Sequence, residues 1–203
     1  ENCLVPRPET ELLVDLVLKN QKMWVSGKTR ILELCTGTGC LGITLYLELK
    51  TDFIEPKIIL TDISQHALTT CKANIMQHCT SDSRIEVVNA DLFPEPQRFD
   101  LIIANPPYIK SEDIGKLEAD IFEYEPHLAL DGGKDGLDFY RRIAKEIKPF
   151  LSDTRNTVLI LEHGLGQRNA IKQIFGETNL EIEQTIEVDD YQKHDRILGF
   201  VFN

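Results

Sequence analysis

"RILELCTGTGCLG", residues 30–42, is the stretch on which the fold turns. Its first half is a short apolar run, the pattern of a buried strand. Gly37 and Gly39 follow at once, and the "CLGITLYLELK" after them has the pattern of a helix. Glycines remove side chains where the chain turns sharply between strand and helix. A ligand can then lie against bare backbone beside a helix N-terminus. On its own, such a turn also reads as tight packing and nothing more.

The rest of the chain repeats the alternation. "KIILTDIS", "RIEVVNADLF", "FDLIIANPPYI" and "TVLILEHG" read as strands. "QHALTTCKANIMQH", "GLDFYRRIAKEIKPFL" and "QRNAIKQIFGET" read as helices, the second with Pro149 near its end. Upstream, "LLVDLVL" places Leu12, Leu13, Leu16 and Val17 on one helical face. Near-continuous apolar strands separated by helices imply a mostly parallel sheet covered on both faces. The last two strands, "LEIEQTIEV" and "RILGFVFN", have no crossover helix between them, so one of the pair runs antiparallel to the rest. Residues 109–136 are the least regular region, acidic and with Gly132 and Gly133, where short helical turns are expected.

Composition narrows the function. Hydrophobic residues make up 42% of the 203 and charged residues 27%, as in a soluble globular chain. No apolar run is long enough for a membrane span, and no signal peptide is visible. The cysteines at 3, 35, 40, 71 and 79 are odd in number and not spaced as zinc ligands. They read as reduced thiols of a cytoplasmic protein, and no metal site is expected. A net charge of −11 argues against a nucleic-acid partner, whose phosphates call for a basic surface. It equally serves solubility.

Ligands of open α/β sheets bind at the carboxyl ends of the strands, so the residues at those ends matter most. Asp62 ends the second strand, where a carboxylate can accept both hydroxyls of a ribose. It can instead cap the next helix, although Ser64 is the stronger capping residue. Asp91 ends the third strand, beside the edge of an adenine, with Leu92 or Phe93 to pack the ring. It too can be a simple turn acid. Together with the glycine turn, these residues suggest an adenosine-containing cofactor.

The fourth strand ends in Asn105-Pro106-Pro107-Tyr108. Proline cannot continue a ladder and holds the preceding residue extended. A dinucleotide site has no use for this tetrapeptide, but a methyltransferase using S-adenosylmethionine does. An amide or aryl amine is a poor nucleophile because its nitrogen lone pair is delocalised. If the Asn105 side-chain oxygen and the Pro106 carbonyl each accept one N–H, the lone pair turns towards the methyl group, and Tyr108 can pack on the flat group. This is catalysis by orientation and desolvation. The plain alternative is a strand-ending turn.

The chain resembles class I S-adenosylmethionine-dependent methyltransferases. Among them it is similar to the protein-(glutamine-N5) methyltransferases of peptide chain release factors, the HemK/PrmC family. "VPRPETELLV" at 5–14, "NPPYI" at 105–109 and "YEPHLALDGGKDGLDFYRRI" at 124–143 carry the resemblance. NPPY is shared with enzymes that methylate adenine or cytosine amines; the other two stretches are more specific.

The resemblance implies an α/β fold with a seven-stranded, mostly parallel sheet and an antiparallel strand near the C-terminus. It implies methyl transfer to the glutamine of a Gly-Gly-Gln motif, with S-adenosyl-L-homocysteine as product and a release factor as partner. Cofactor contacts are expected from Cys35, Thr36, Gly37, Thr38, Gly39, Asp62, Asp91, Leu92 and Asn105. Contacts to the substrate glutamine are expected from Asn105, Pro106, Pro107 and Tyr108, with Pro8, Glu9 and Thr10 as a lid. Asn105, Pro106 and Tyr108 are the candidate catalytic groups. Cys35 stands where the family often has Gly, and Leu92 where it often has Trp. The family also carries a small N-terminal helical domain that grips the release factor. None precedes Glu1, so residues 1–203 read as the catalytic domain, cut from a longer protein or from a short homologue. The competing classes are a nucleic-acid amine methyltransferase and a non-catalytic methyltransferase-like subunit. The first calls for a basic groove that the acidic sequence does not display. The second would be expected to lose the glycine turn or NPPY, and both are intact.

Overall fold

A computed structural model describes residues 3–51, 53–79 and 83–203. Seven strands form one sheet: β1 (Arg30–Leu34), β2 (Lys57–Asp62), β3 (Ile85–Asn89), β4 (Leu101–Ala104), β5 (Thr157–Glu162), β6 (Ile182–Asp189) and β7 (Asp195–Phe202). Their order is β3-β2-β1-β4-β5-β7-β6. The first five are parallel, and β7 pairs antiparallel with both β5 and β6. So β7 is the reversed strand of the final pair, as the missing crossover helix requires.

Seven helices accompany them among the described residues: α1 (Pro8–Trp24), α2 (Cys40–Leu49), α3 (Gln65–His78), α4 (Ser111–Ile114), α5 (Ala119–Tyr124), α6 (Asp138–Glu146) and α7 (Arg168–Gly176). The short helices α4 and α5 and a 3-10 turn at His127–Ala129 fill the irregular 109–136 region. The helix read across 136–151 ends at Glu146, and a 3-10 turn containing Pro149 follows. A proline can neither donate to the preceding turn nor fit inside it. By contrast, α1 starts earlier than "LLVDLVL", because Pro8 suits the first helical position and Glu9 and Glu11 suit the positive end of the dipole.

The strand period of two divides the core. Ile31, Ile58, Leu60, Leu101, Ile103, Val158 and Ile160 face α1, α2 and α3. Their neighbours Leu32, Ile59, Ile102, Leu159 and Leu161 face α6 and α7. Leu13 and Val17 of α1 are fully buried in the first core. Cutting Leu13 back to Ala would cost about 2–5 kcal/mol and loosen α1 from the sheet. In the outer strand β6 only Ile182, Ile186 and Val188 are half-buried and the rest are exposed, as at an edge with one wet face. No helix among the described residues is long and apolar enough to cross a membrane.

Between β1 and β4 the strand order reverses direction, which opens a crevice at the carboxyl edge.

Candidate active site

The turn after β1 builds one side of that crevice. Cys35, Gly37 and Gly39 all have positive φ, at 55°, 55° and 78°. Cys35 therefore adopts the backbone of the glycine it replaces and keeps the turn's shape, at a cost of roughly 1–2 kcal/mol. A Cβ on Gly37 would meet nothing within 4 Å, so its bare face looks into open space. One on Gly39 would sit 2.5 Å from Cys71 Sγ, so that glycine is needed for packing against α3. Burial pushes the Cys35 thiol far above its usual range, which leaves it protonated. Under the turn, Glu33 Oε2 accepts from Gly42 N at 2.9 Å, and burial pushes its carboxyl up to about 8.

Asp62 Oδ2 accepts from Gly37 N and Oδ1 from Ser64 N, both at 2.8 Å. Each carboxylate oxygen has a second lone pair, so both can still receive a hydroxyl. Ser64 is the cap of α3, accepting from Ala67 N. Asp91 is held by Arg142 of α6, with Nη1 3.0 Å from Oδ1. Leu92 is buried with φ 69°. Thr61 Oγ1 donates to its carbonyl at 2.7 Å. Phe93 stacks on Phe150 at 4.4 Å between centroids and is absent from the crevice wall. Of the two residues offered for the adenine ring, only Leu92 reaches that wall.

A cavity open to solvent lies here. Cys35, Gly37, Asp62, Asp91, Leu92 and Asn105 line it, and Ile63 and Phe139 supply apolar walls that the sequence did not single out. Thr36, Thr38 and Gly39 are not on its wall. Thr36 is buried and its N–H donates to Thr61 O, Thr38 O accepts from Asn74, and Gly39 precedes α2. They shape the turn from behind.

A second cavity, lined by Arg7, Asn105, Pro106, Tyr108, Ile121 and Leu130 among others, adjoins the first. Leu4, Asn105, Pro107 and Ala129 belong to both walls. The NPPY backbone is clamped from outside. A Cβ on Gly132 would come within 2.7 Å of Tyr108 Cα, and one on Gly136 within 2.4 Å of Tyr108 O. The glycines of "LDGGKDG" therefore let that loop run against the tetrapeptide. Gln167 Nε2 donates to Tyr108 O at 3.0 Å and to Gly136 O at 3.2 Å.

Pro8, Glu9 and Thr10, expected as a lid, form the first turn of α1, and it is not these three that line the two cavities. Thr10 is buried behind Asn105, because its hydroxyl finds a polar partner in Glu162 there. Leu4 and Arg7, just upstream, reach the cavities instead. Arg7 Nη2 pairs with the buried Glu125 Oε1 at 2.5 Å and joins this arm to the segment after α5.

Glu162 was also missed, although it stands at the tip of β5 much as Asp62 does on β2. Thr10 Oγ1 donates to its Oε2 at 2.8 Å, and Tyr108 OH to its Oε1 at 3.4 Å. Asn105 Nδ2 donates to Thr10 Oγ1 at 3.1 Å. Burial raises the Glu162 carboxyl above its ordinary range, against the Thr10 hydrogen bond and the charge of Arg196. The Tyr108 hydroxyl is pushed up to about 12 by burial and by Glu162, so it stays a donor.

The family model "Methyltransferase small domain" matches residues 8–134. The release factor glutamine methyltransferase of Clostridium acetobutylicum is 33% identical over 98% of this chain and 67% of its own length. That of Agrobacterium fabrum is 38% identical over 98% and 67%. The chain thus spans about two thirds of these curated relatives. In fold it is similar to the release factor-specific protein-(glutamine-N5) methyltransferase of Alicyclobacillus acidocaldarius, with TM-score 0.56 and 24% identity over 99% of this chain and 96% of that one. With the glycine turn, the strand-tip acids and NPPY meeting at one crevice, the chain belongs to the methyltransferase small domain family and, within it, to the release factor glutamine methyltransferases.

Proposed function

We propose that this chain transfers a methyl group from S-adenosylmethionine to the side-chain amide nitrogen of a glutamine, in the Gly-Gly-Gln motif of a peptide chain release factor. The observation that carries this is the shared wall. Asn105 and Pro107 border both cavities, so a group held in one can meet a group held in the other.

The residues present fit the cofactor. Bare backbone at Gly37, lone pairs on Asp62 and apolar walls from Leu92, Ile63 and Phe139 suit an adenosine with its ribose. When bound, S-adenosylmethionine supplies a methyl group already activated by its sulfonium. On the substrate side, Asn105 Oδ1 and the Pro106 carbonyl accept the two N–H groups of the glutamine amide. The amide plane is then fixed and its lone pair turned towards the first cavity. Tyr108 walls the flat group, and Ile121 and Leu130 help exclude water. Orientation of this kind can supply a large part of a rate enhancement. Cys35 stays out of the chemistry, because its thiol remains protonated.

The nearby surface is acidic: Glu112, Glu118, Asp120 and Glu123 are exposed on or beside α4 and α5. That disfavours a polyanionic partner. A protein substrate of the translation apparatus agrees with a cytoplasmic location. The test is incubation with S-adenosylmethionine labelled on the methyl group, in the presence of a release factor, tRNA and DNA together. Label is expected on the release factor. Label on nucleic acid alone would overturn the proposal.

A further inference from the structure

We infer that Glu162 and Thr10 are positioning residues, a buried relay that fixes which way the Asn105 side-chain amide faces. This deepens the proposed methyl transfer and rests on it.

The chemistry of each group leaves little freedom. An ionised carboxylate only accepts hydrogen bonds. The single hydroxyl hydrogen of Thr10 is used on Glu162 Oε2 at 2.8 Å. The Thr10 oxygen can then offer only lone pairs to Asn105, at 3.1 Å. The Asn105 group facing it must be the NH2, so Oδ1 is left for the cavities as an acceptor. An amide turned the other way would set Oδ1 against the Thr10 oxygen with no hydrogen between them. A buried polar group left unpaired biases such a choice by roughly tenfold to a hundredfold. A glutamine amide nitrogen needs an acceptor from Asn105, and the relay selects that face.

The same carboxylate receives Tyr108 OH on its other oxygen, at 3.4 Å. Its backbone carbonyl accepts from Tyr140 OH of α6 at 2.9 Å. One residue at the tip of β5 is therefore tied to two residues of the NPPY tetrapeptide and to helices on both faces of the sheet. Thr10 brings α1 into the arrangement, which gives the first turn of that helix a role in the reaction without contact to the reacting atoms.

The test is a double-mutant cycle in the full chain, read by single-turnover methyl transfer to a Gly-Gly-Gln peptide, with cofactor affinity measured by calorimetry. Wild type is read first: no methyl on its peptide glutamine would overturn the proposed function itself. With wild type active, Thr10→Val keeps the shape and removes the hydroxyl, so the rate should fall roughly tenfold to a hundredfold while cofactor affinity stays within about twofold. Thr10→Ser should restore the rate to within about threefold, since the hydroxyl returns. Thr10→Val combined with Asn105→Ala should be no slower than Asn105→Ala alone, because the relay acts only through Asn105. A wild-type rate in Thr10→Val, or losses that multiply in the double variant, would overturn the inference. A second measurement needs neither a variant nor turnover. The Asn105 side-chain NH2 in the wild-type protein should exchange with solvent more slowly than an exposed amide. Exchange as fast as an exposed amide would also overturn it.

Discussion

The two halves of the carboxyl edge are built differently. At the tips of β1, β2 and β3 the crevice is made largely of local features: a left-handed turn at 35–39, a strand-end acid at Asp62, and Leu92 with its carbonyl held by Thr61. The ties between these tips are still short in sequence, 25 positions from Gly37 to Asp62 and 31 from Thr61 to Leu92. At the tips of β4 and β5, orientation comes from far away. Asn105 is held by a residue 95 positions distant, and that residue by one 152 positions from itself. The first half presents backbone and a carboxylate, which suits gripping a ligand. The second presents a side chain whose facing is decided by buried partners, which suits orienting one. Grip and orientation should therefore separate under mutation.

The largest separation is expected at Asn105. Asn105→Ala removes the acceptor and leaves the proline frame, so single-turnover transfer should fall about 10²-fold or more, with a much smaller loss of cofactor affinity. Asn105→Asp keeps the shape but adds a negative charge near the sulfonium. It should retain cofactor binding and still lose turnover, because the charge favours the ground state over a transition state in which positive charge disperses. Near-wild-type turnover in Asn105→Ala would reduce NPPY to a turn.

Asp62→Ala tests the other half. Two hydrogen bonds to a charged acceptor are each worth roughly 1.5–3 kcal/mol, so calorimetry should show at least a tenfold weaker cofactor. Part of that loss belongs to the turn, since Gly37 N also loses its acceptor. Unchanged affinity in a folded Asp62→Ala would remove this carboxylate from the site.

A pH profile sharpens the contrast. The relay needs Glu162 ionised, and burial raises its carboxyl above the ordinary range. The groups facing it are Glu9 and Thr10 of α1, Tyr108, Tyr140 of α6 and Arg196 of β7. The rate should be full above the raised pKa and fall as pH drops through it, at a higher pH than for an exposed glutamate, while cofactor affinity changes less. In Thr10→Val this acid limb should disappear, and its persistence would assign the limb to another group. The smallest effect is expected at Gln167. Gln167→Ala frees the carbonyls of Tyr108 and Gly136 and should slow turnover by roughly twofold to fivefold, the order of one neutral hydrogen bond. An effect on cofactor affinity instead would place Gln167 on the wrong side of the comparison.

This division also explains what could be read from the residues alone. The strand and helix alternation, the reversed C-terminal strand and the acid ending β2 at Asp62 are signals carried within a few positions, and they appear in the structure where they were expected, whereas β3 ends at Asn89, two residues before Asp91. The helix expected across 136–151 stops at Glu146, because Pro149 cannot donate to the turn before it and the chain continues as a 3-10 turn. The Thr10–Glu162 pair was not legible, because nothing local to Thr10 tells that its hydroxyl meets a residue 152 positions away. Phe93 and Leu92 were interchangeable until the left-handed backbone at Leu92 and the Phe93–Phe150 stack separated them. Gly132 could be noticed but not explained, and Gly136 did not stand out, because the atoms they make room for belong to Tyr108 and its neighbours.

The most direct measurement is tandem mass spectrometry of a release factor after incubation with this protein and S-adenosylmethionine. The proposal predicts one added methyl on the side-chain nitrogen of the Gly-Gly-Gln glutamine, present with wild type and nearly absent with Asn105→Ala. A methyl on any other atom of the factor, or an equal yield from Asn105→Ala, would contradict it.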